Sequence, residues 1–231
     1  MSLFRFKQFV ISHAKSAMKV GTDGILIGSW VSCEKANTIL DVGCGTGLIT
    51  LMLAQRNLKS NIKGIELDTL ASEEACLNIN NTVWKNRISI QNISFQNFRI
   101  QTKFDLIVSN PPFFASNHSN DRRDIARHTN CLSFQELIKH SVRLLSPNGI
   151  LGVIIPKEAE IFFCKIAKSY HLYPNRACYV RGNNFSNIKR VLIELSFTVT
   201  NKKITYLTIE KSRHKYTEEF VNLCKAFYID M

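Results

Sequence analysis

The stretch Leu40-Asp41-Val42-Gly43-Cys44-Gly45-Thr46-Gly47 sets three alternate glycines between an apolar run and a helical one. So abrupt a strand-to-helix turn favours residues without a Cβ, and the same freedom lets backbone approach a ligand closely. The stretch therefore defines one strand–loop–helix unit, with a strand over 37–42 and a helix over 48–55. The pattern repeats downstream. Strands are expected over 62–67, 88–93 and 104–109, and helices over 70–81, 134–145 and 158–169. Pro147-Asn148-Gly149 reads as a turn into an apolar strand over 150–155. Segments 189–198 and 204–209 read as an antiparallel pair, and 217–227 as a last helix. Alternation of this kind predicts an α/β, Rossmann-like fold: a mostly parallel sheet with helices on both faces. With 231 residues, 45% of them hydrophobic, and no repeat or linker, the reading is one domain over 1–231. Residues 1–35 form an N-terminal extension expected to contribute to the site. Ligands on such sheets sit at the carboxyl ends of the strands, so the loops after the strands carry the information.

Glu66 ends the second expected strand, in Ile65-Glu66-Leu67-Asp68. An acidic side chain there can accept both hydrogen bonds of a ribose diol. A dinucleotide is disfavoured by Asp41, whose carboxylate beside the glycine loop would repel a pyrophosphate. S-adenosylmethionine has no phosphate and carries a sulfonium and an ammonium, so it is the expected cofactor. The bland alternative is a glycine turn with a capping Asp.

Asn110-Pro111-Pro112-Phe113 follows the strand over 104–109 directly. Each proline holds its predecessor extended and removes an N–H, which leaves a stiff loop with acceptors to offer. An aromatic amine is a poor nucleophile because its lone pair is delocalised. The Asn110 side-chain oxygen and the Pro111 carbonyl can bind its two N–H groups, favour a pyramidal nitrogen and aim the lone pair at a methyl donor. Phe113 offers a face for stacking a base. Asn110, Pro111, Pro112 and Phe113 are thus the candidate catalytic residues, and Asn110 is also a candidate cofactor-binding residue. A plain proline turn at a strand end is the alternative.

The net charge of +12 favours a polyanionic partner. Phe4 and Phe6 alternate with Arg5 and Lys7, which reads equally as a strand with a buried aromatic face or as an RNA platform. Lys7, Arg122, Arg123 and Arg127 are the candidate RNA contacts, the last three lying just after the acceptor loop. Lys202, Lys203, Lys211, Arg213 and Lys215 read as a diffuse basic face, and His13 as structural. The seven cysteines are scattered without Cys-x-x-Cys or zinc spacing, so reduced thiols and no metal are expected. Without a signal-like N-terminus or a membrane-length apolar run, the cytoplasm is the expected location.

Taken with Met18-Lys19-Val20-Gly21-Thr22-Asp23-Gly24 and the ending Ala226-Phe227-Tyr228-Ile229-Asp230-Met231, the two loops give a specific match. Over nearly its whole length the chain resembles the bacterial tRNA1(Val) (adenine-37-N6)-methyltransferases, which are class I S-adenosylmethionine-dependent enzymes. The resemblance implies methylation of the adenosine next to the anticodon, and a seven-stranded sheet with its last strands antiparallel. By position it puts Asp41, Gly43 and Gly45 along the methionine part of the cofactor and Glu66 on the ribose. Thr22 and Asp23 would approach from the N-terminal segment, and Asn110 to Phe113 would hold the base. Where family members often carry an Asp toward the cofactor's adenine amino group, this chain has Ser94, followed by Phe95 to pack on the ring. Phe113 stands in place of a frequent Tyr. Similar loops serve enzymes that methylate protein glutamine, rRNA guanine or DNA adenine. The glutamine enzymes usually add a helical N-terminal domain, for which the roughly 35 residues before the first strand are too few. An RNA-binding protein without turnover is the alternative from another class.

Overall fold

In the computed structural model, which describes residues 3–14, 16, 19–111 and 132–231, the apolar runs lie side by side in one eight-stranded sheet. Its strands are β3 (Thr38–Val42), β4 (Asn61–Glu66), β5 (Ile88–Asn92), β6 (Phe104–Ser109), β7 (Leu145–Pro156), β8 (Tyr173–Arg181), β9 (Ile188–Ser196) and β10 (Lys203–Thr208). Their order is β10-β8-β9-β7-β6-β3-β4-β5. The pairs β5/β4, β4/β3, β3/β6, β6/β7 and β8/β10 are parallel. Only β9 runs against its neighbours, β7 and β8. Helices α1 (Thr22–Trp30), α2 (Leu48–Arg56), α3 (Thr69–Asn80), α4 (Phe134–Leu144), α5 (Glu160–Ser169) and α6 (Glu218–Cys224) complete the layers. Short pairs β1 (Leu3–Arg5)/β2 (Val10–Ser12) and β11 (Glu210–Ser212)/β12 (Lys215–Tyr216) stand outside the main sheet.

Successive residues of a strand point to opposite faces, and the two cores follow from that. Ile39, Leu106, Val108 and Ile154 join the core with α1 and α2. Leu40, Ile107, Val153 and Ile155 join the core with α4 and α5. Burial on both faces is why these strands read as continuous apolar runs.

The α/β architecture expected from the sequence is present, with three differences in detail. Segment 204–209 does not pair with 189–198: β10 lies parallel to β8, and β8 separates it from β9. The sheet consequently has seven consecutive strands, β8 to β5, plus β10 on the edge. Pro147-Asn148-Gly149 is not a turn outside the strand. It is an irregularity within β7, where Leu145 faces Phe104 and Ile150 already faces Leu106.

Helix α1 was not legible in the sequence because it is buried from Gly24 to Trp30 and so has no polar face to reveal its period. Its glycines let it sit directly on α2. A Cβ at Gly28 would lie 2.7 Å from Met52 Sδ and 3.1 Å from Met52 Cβ. Gly28→Ala is therefore expected to cost about 1–3 kcal/mol, despite the gain in helix propensity. Thermal denaturation checks this: the melting temperature should fall by several degrees, and an unchanged value would mean that the two helices can separate freely.

The aromatic N-terminus goes into the core. Phe6 and Phe9 are buried and stacked at 4.6 Å, with Phe4, Tyr228 and Trp84 around them. Lys7 donates from Nζ to the backbone oxygens of Lys225 (2.7 Å) and Met231 (3.3 Å), which ties this hairpin to the segment after α6. Lys7, a candidate RNA contact from the sequence, is exposed and also serves as this structural tie.

Candidate active site

The order of the strands reverses at β3/β6, and the loops leaving these two strands border one cavity of about 930 Å³. That volume suits a small-molecule site with room to spare. The glycine loop forms its floor. Gly43 and Gly45 have φ of +71° and +54°, values that L side chains rarely adopt. A Cβ on either would meet nothing within 4 Å, so both face open space that a ligand can fill. Gly43 and Cys44 each donate a backbone N–H to Ile65 O, at 2.9 and 3.0 Å, which fixes the loop against β4.

Glu66 ends β4 at the cavity wall. Its Oε2 accepts the Gly45 N–H at 2.8 Å and its Oε1 the Asp68 N–H at 2.9 Å. Each carboxylate oxygen keeps a lone pair, so the group is aimed and still able to accept. Ser94 and Phe95, after β5, line the same cavity. The Ser94 hydroxyl accepts the Asn97 N–H at 3.3 Å, and Phe95 is buried against the core. Leu48, Ile49, Ile65 and Ile93 add apolar wall.

Asn110 and Pro111 complete the wall on the β6 side. The Ser109 hydroxyl donates to Val42 O at 2.9 Å and so fastens the end of β6 to the end of β3. Asn110 Oδ1 is buried with no hydrogen-bond partner among the described residues. A lone buried acceptor costs free energy unless a ligand supplies the donor. Pro112, Phe113, Arg122, Arg123 and Arg127 lie outside the described residues.

Asp41 is fully buried beneath the glycine loop and does not line the cavity. Its Oδ2 accepts the Thr50 hydroxyl at 2.6 Å, while Oδ1 has no partner. Burial pushes its pKa up to about 7, with the Glu66 charge adding and the Thr50 bonds opposing. Burial also raises the Cys44 thiol well above its usual range, reinforced by Asp41 and Glu66, which removes it as a thiolate nucleophile.

Thr22 and Asp23 line the cavity from the start of α1. Asp23 Oδ2 pairs with Arg190 Nε of β9 at 2.8 Å. The segment before α1 is held by α3, a connection that the sequence did not disclose. Glu74, buried in α3, accepts the Ser12 hydroxyl (2.9 Å), the Ala14 N–H (2.7 Å) and the Ser16 N–H (3.0 Å). Asn78, one turn on, bridges Ser12 and the Thr46 carbonyl of the glycine loop at 2.9 Å. His13 accepts the Val20 N–H at Nδ1, 3.2 Å, a structural role as expected.

A parallel sheet with one reversed strand near its edge, a glycine floor and an acidic β4 end define a class I methyltransferase. The family model of the methyltransferase small domain matches residues 13–168. The chain is 42% identical over 230 residues to a tRNA1(Val) (adenine(37)-N6)-methyltransferase of Phocaeicola vulgatus, covering 99% of this chain and 98% of the relative. It is 43% identical over 235 residues to the protein of that name in Christiangramia forsetii, again covering 99% and 98%. A crystal structure described as a predicted O-methyltransferase from Agrobacterium tumefaciens shares the fold, with TM-score 0.70 and 17% identity over 89% of this chain and 96% of that one. The chain therefore belongs to the methyltransferase small-domain family and, within it, to the tRNA1(Val) (adenine(37)-N6)-methyltransferases.

Proposed function

We propose that the chain transfers a methyl group from S-adenosylmethionine to N6 of an adenosine in tRNA, at position 37 of tRNA1(Val). The observation that carries the reading is Asn110 Oδ1: a buried, partnerless acceptor in the wall of the cavity that the glycine loop floors. The donor fits the residues present. Glu66 takes its ribose diol, the open faces of Gly43 and Gly45 admit its methionine part, and Ser94 and Phe95 meet its adenine. Thr22 and Asp23 close over it from α1. Asp41 acts from beneath the loop rather than by contact.

When bound, S-adenosylmethionine supplies a methyl group on a positively charged sulfur. Asn110 Oδ1 and the Pro111 carbonyl accept the two amino N–H groups and turn the nitrogen lone pair toward that methyl. The bound donor would give its methyl to that lone pair and keep the carbon–sulfur electron pair, and the surplus amino proton would leave to water. No strong base is needed, so positioning and fixed dipoles supply the acceleration. The target base must leave its stack to enter, at low cost in an already loosened loop. The roles of Pro112 and Phe113 in holding the base, and of Arg122, Arg123 and Arg127 in binding phosphates, belong to the same reading.

Among the described residues no helix is long and apolar enough to cross a membrane, and no His/Cys/Asp/Glu group could hold a metal. The reading needs neither, and it places the protein with tRNA in the cytoplasm. Incubation with labelled donor and separate tRNA, rRNA, DNA and release-factor pools tests it. Label should enter tRNA alone, as N6-methyladenosine by nucleoside mass spectrometry. Label in another pool, or as another nucleoside, overturns it.

A further inference from the structure

The turn between β8 and β9 carries the most exposed large apolar side chain among the described residues. Phe185 is 97% exposed. Isolated exposed apolar residues are common and by themselves mean little. Three features set this one apart.

The first is that the tip is built rather than loose. The Phe185 N–H donates to Asn183 Oδ1 at 2.9 Å, and the Asn183 N–H to Ser186 Oγ at 2.9 Å. The Ser186 N–H donates to Asn183 O at 3.2 Å, and Arg181 reaches Asn184 Oδ1 at 3.1 Å. The ring is therefore offered to solvent from a fixed frame, at little further entropic cost on binding.

The second is position. Val42, Ser109, Val153, Ile193 and Ala177 lie opposite one another across β3, β6, β7, β9 and β8. They mark the level at which the glycine and Asn110 loops leave the sheet. Arg181 is four residues past Ala177, so the turn begins roughly 13 Å above that level, and β9 lies two strands, about 10 Å, from β6. The tip thus rises beside the mouth of the cavity. Its base is tied to the cavity wall by the Arg190–Asp23 pair at 2.8 Å.

The third is charge. The Glu210 N–H donates to Gly182 O at 2.8 Å, which sets the β11–β12 turn alongside. Lys211, Arg213 and Lys215 of that turn, and Lys189 of β9, are exposed.

We propose that the 182–187 turn and the β11–β12 turn form an outer RNA-binding surface. Phe185 stacks on an unpaired base flanking the methylated nucleotide, and Lys211, Arg213 and Lys215 meet phosphates. An aromatic face among cations is how proteins hold unpaired bases. The inference rests on the tRNA reading for the identity of the RNA, but its binding test stands apart from turnover.

The experiment uses the full chain and an anticodon stem-loop RNA that contains the target adenosine. Phe185→Ala should leave the melting temperature, donor affinity and kcat unchanged, and should raise both the RNA Kd and KM about ten- to a hundredfold. The slope of log K against log salt should be the same as in wild type, since no charge is lost. Lys211→Ala with Arg213→Ala should instead flatten that slope by about one per cation removed. Phe185→Trp should bind like wild type, and its exposed indole should be quenched by RNA, against buried Trp30 and Trp84. Wild-type RNA affinity in Phe185→Ala, or no quenching in Phe185→Trp, overturns the proposal and leaves the ring as a protein contact. If RNA affinity, salt slope and quenching behave as expected but wild type methylates no RNA, the outer surface stands and the assigned reaction falls.

Discussion

Asn110→Ala should lower kcat by about 10²–10³-fold, the range seen when one fixed dipole at a reacting centre is removed, while donor and RNA affinities stay near wild type. The structure separates this effect from folding. Because Asn110 Oδ1 has no partner among the described residues, truncation breaks no hydrogen bond of that atom and removes a buried polar group that the free protein leaves unsatisfied. Stability should therefore hold or rise slightly. Single-turnover kinetics with saturating donor and RNA isolate the step, and calorimetric titration with donor shows whether the pocket is intact. Asn110→Asp keeps an acceptor at the same place, so it should retain more activity than Asn110→Ala, although the charge it adds beside the apolar wall keeps it below wild type. Normal turnover in Asn110→Ala would show that the amino group is held elsewhere, and the reading of this loop would be lost.

What could be read in advance divides along physical lines. The central strands were legible because both faces are buried, and buried-face strands write themselves as apolar runs. The glycine loop and Glu66 were legible because backbone geometry and ligand chemistry both demand particular residues there. Strand β8 was missed because Tyr173-Pro174-Asn175-Arg176 is only half-buried and reads as loop. In α3 the helix itself was legible but its inward face was not: Leu70 and Leu77 are 51% and 57% exposed, whereas Glu74 and Asn78 face inward to hold the N-terminal segment. A polar pair at i, i+4 on a helix looks like a solvated face until the segment it binds is known. The Asp23–Arg190 pair joins residues 167 apart, a distance that no local pattern spans.

The same limit applies to Asp41, where the sequence suggested a ligand contact and the structure gives a buried acid under the loop. The consequence can be measured as stability against pH. In the unfolded chain the carboxyl has its ordinary pKa near 3.9. In the folded chain it keeps its proton up to about 7. Between these values the folded state binds a proton that the unfolded state has released. Stability contributed at this site is therefore lost as pH rises from about 4 to about 7, by at most about 4 kcal/mol. Glu34, Asp105, Glu136 and Glu160 have lowered pKa values and tilt the curve the other way, but mostly below pH 4.5. Asp41→Asn removes the proton and can still accept from the Thr50 hydroxyl, so subtracting its curve from the wild-type curve isolates the one group. Urea unfolding at a series of pH values should show wild type losing ground to Asp41→Asn from pH 4 to 7 and holding a constant offset above it. Parallel curves across that window would mean that Asp41 is ionised throughout. If the slope is found, a carboxyl is kept beneath the glycine loop at a cost to the fold near neutral pH. Such a cost makes sense at a site built for a cationic ligand, whose charge favours the ionised form from above.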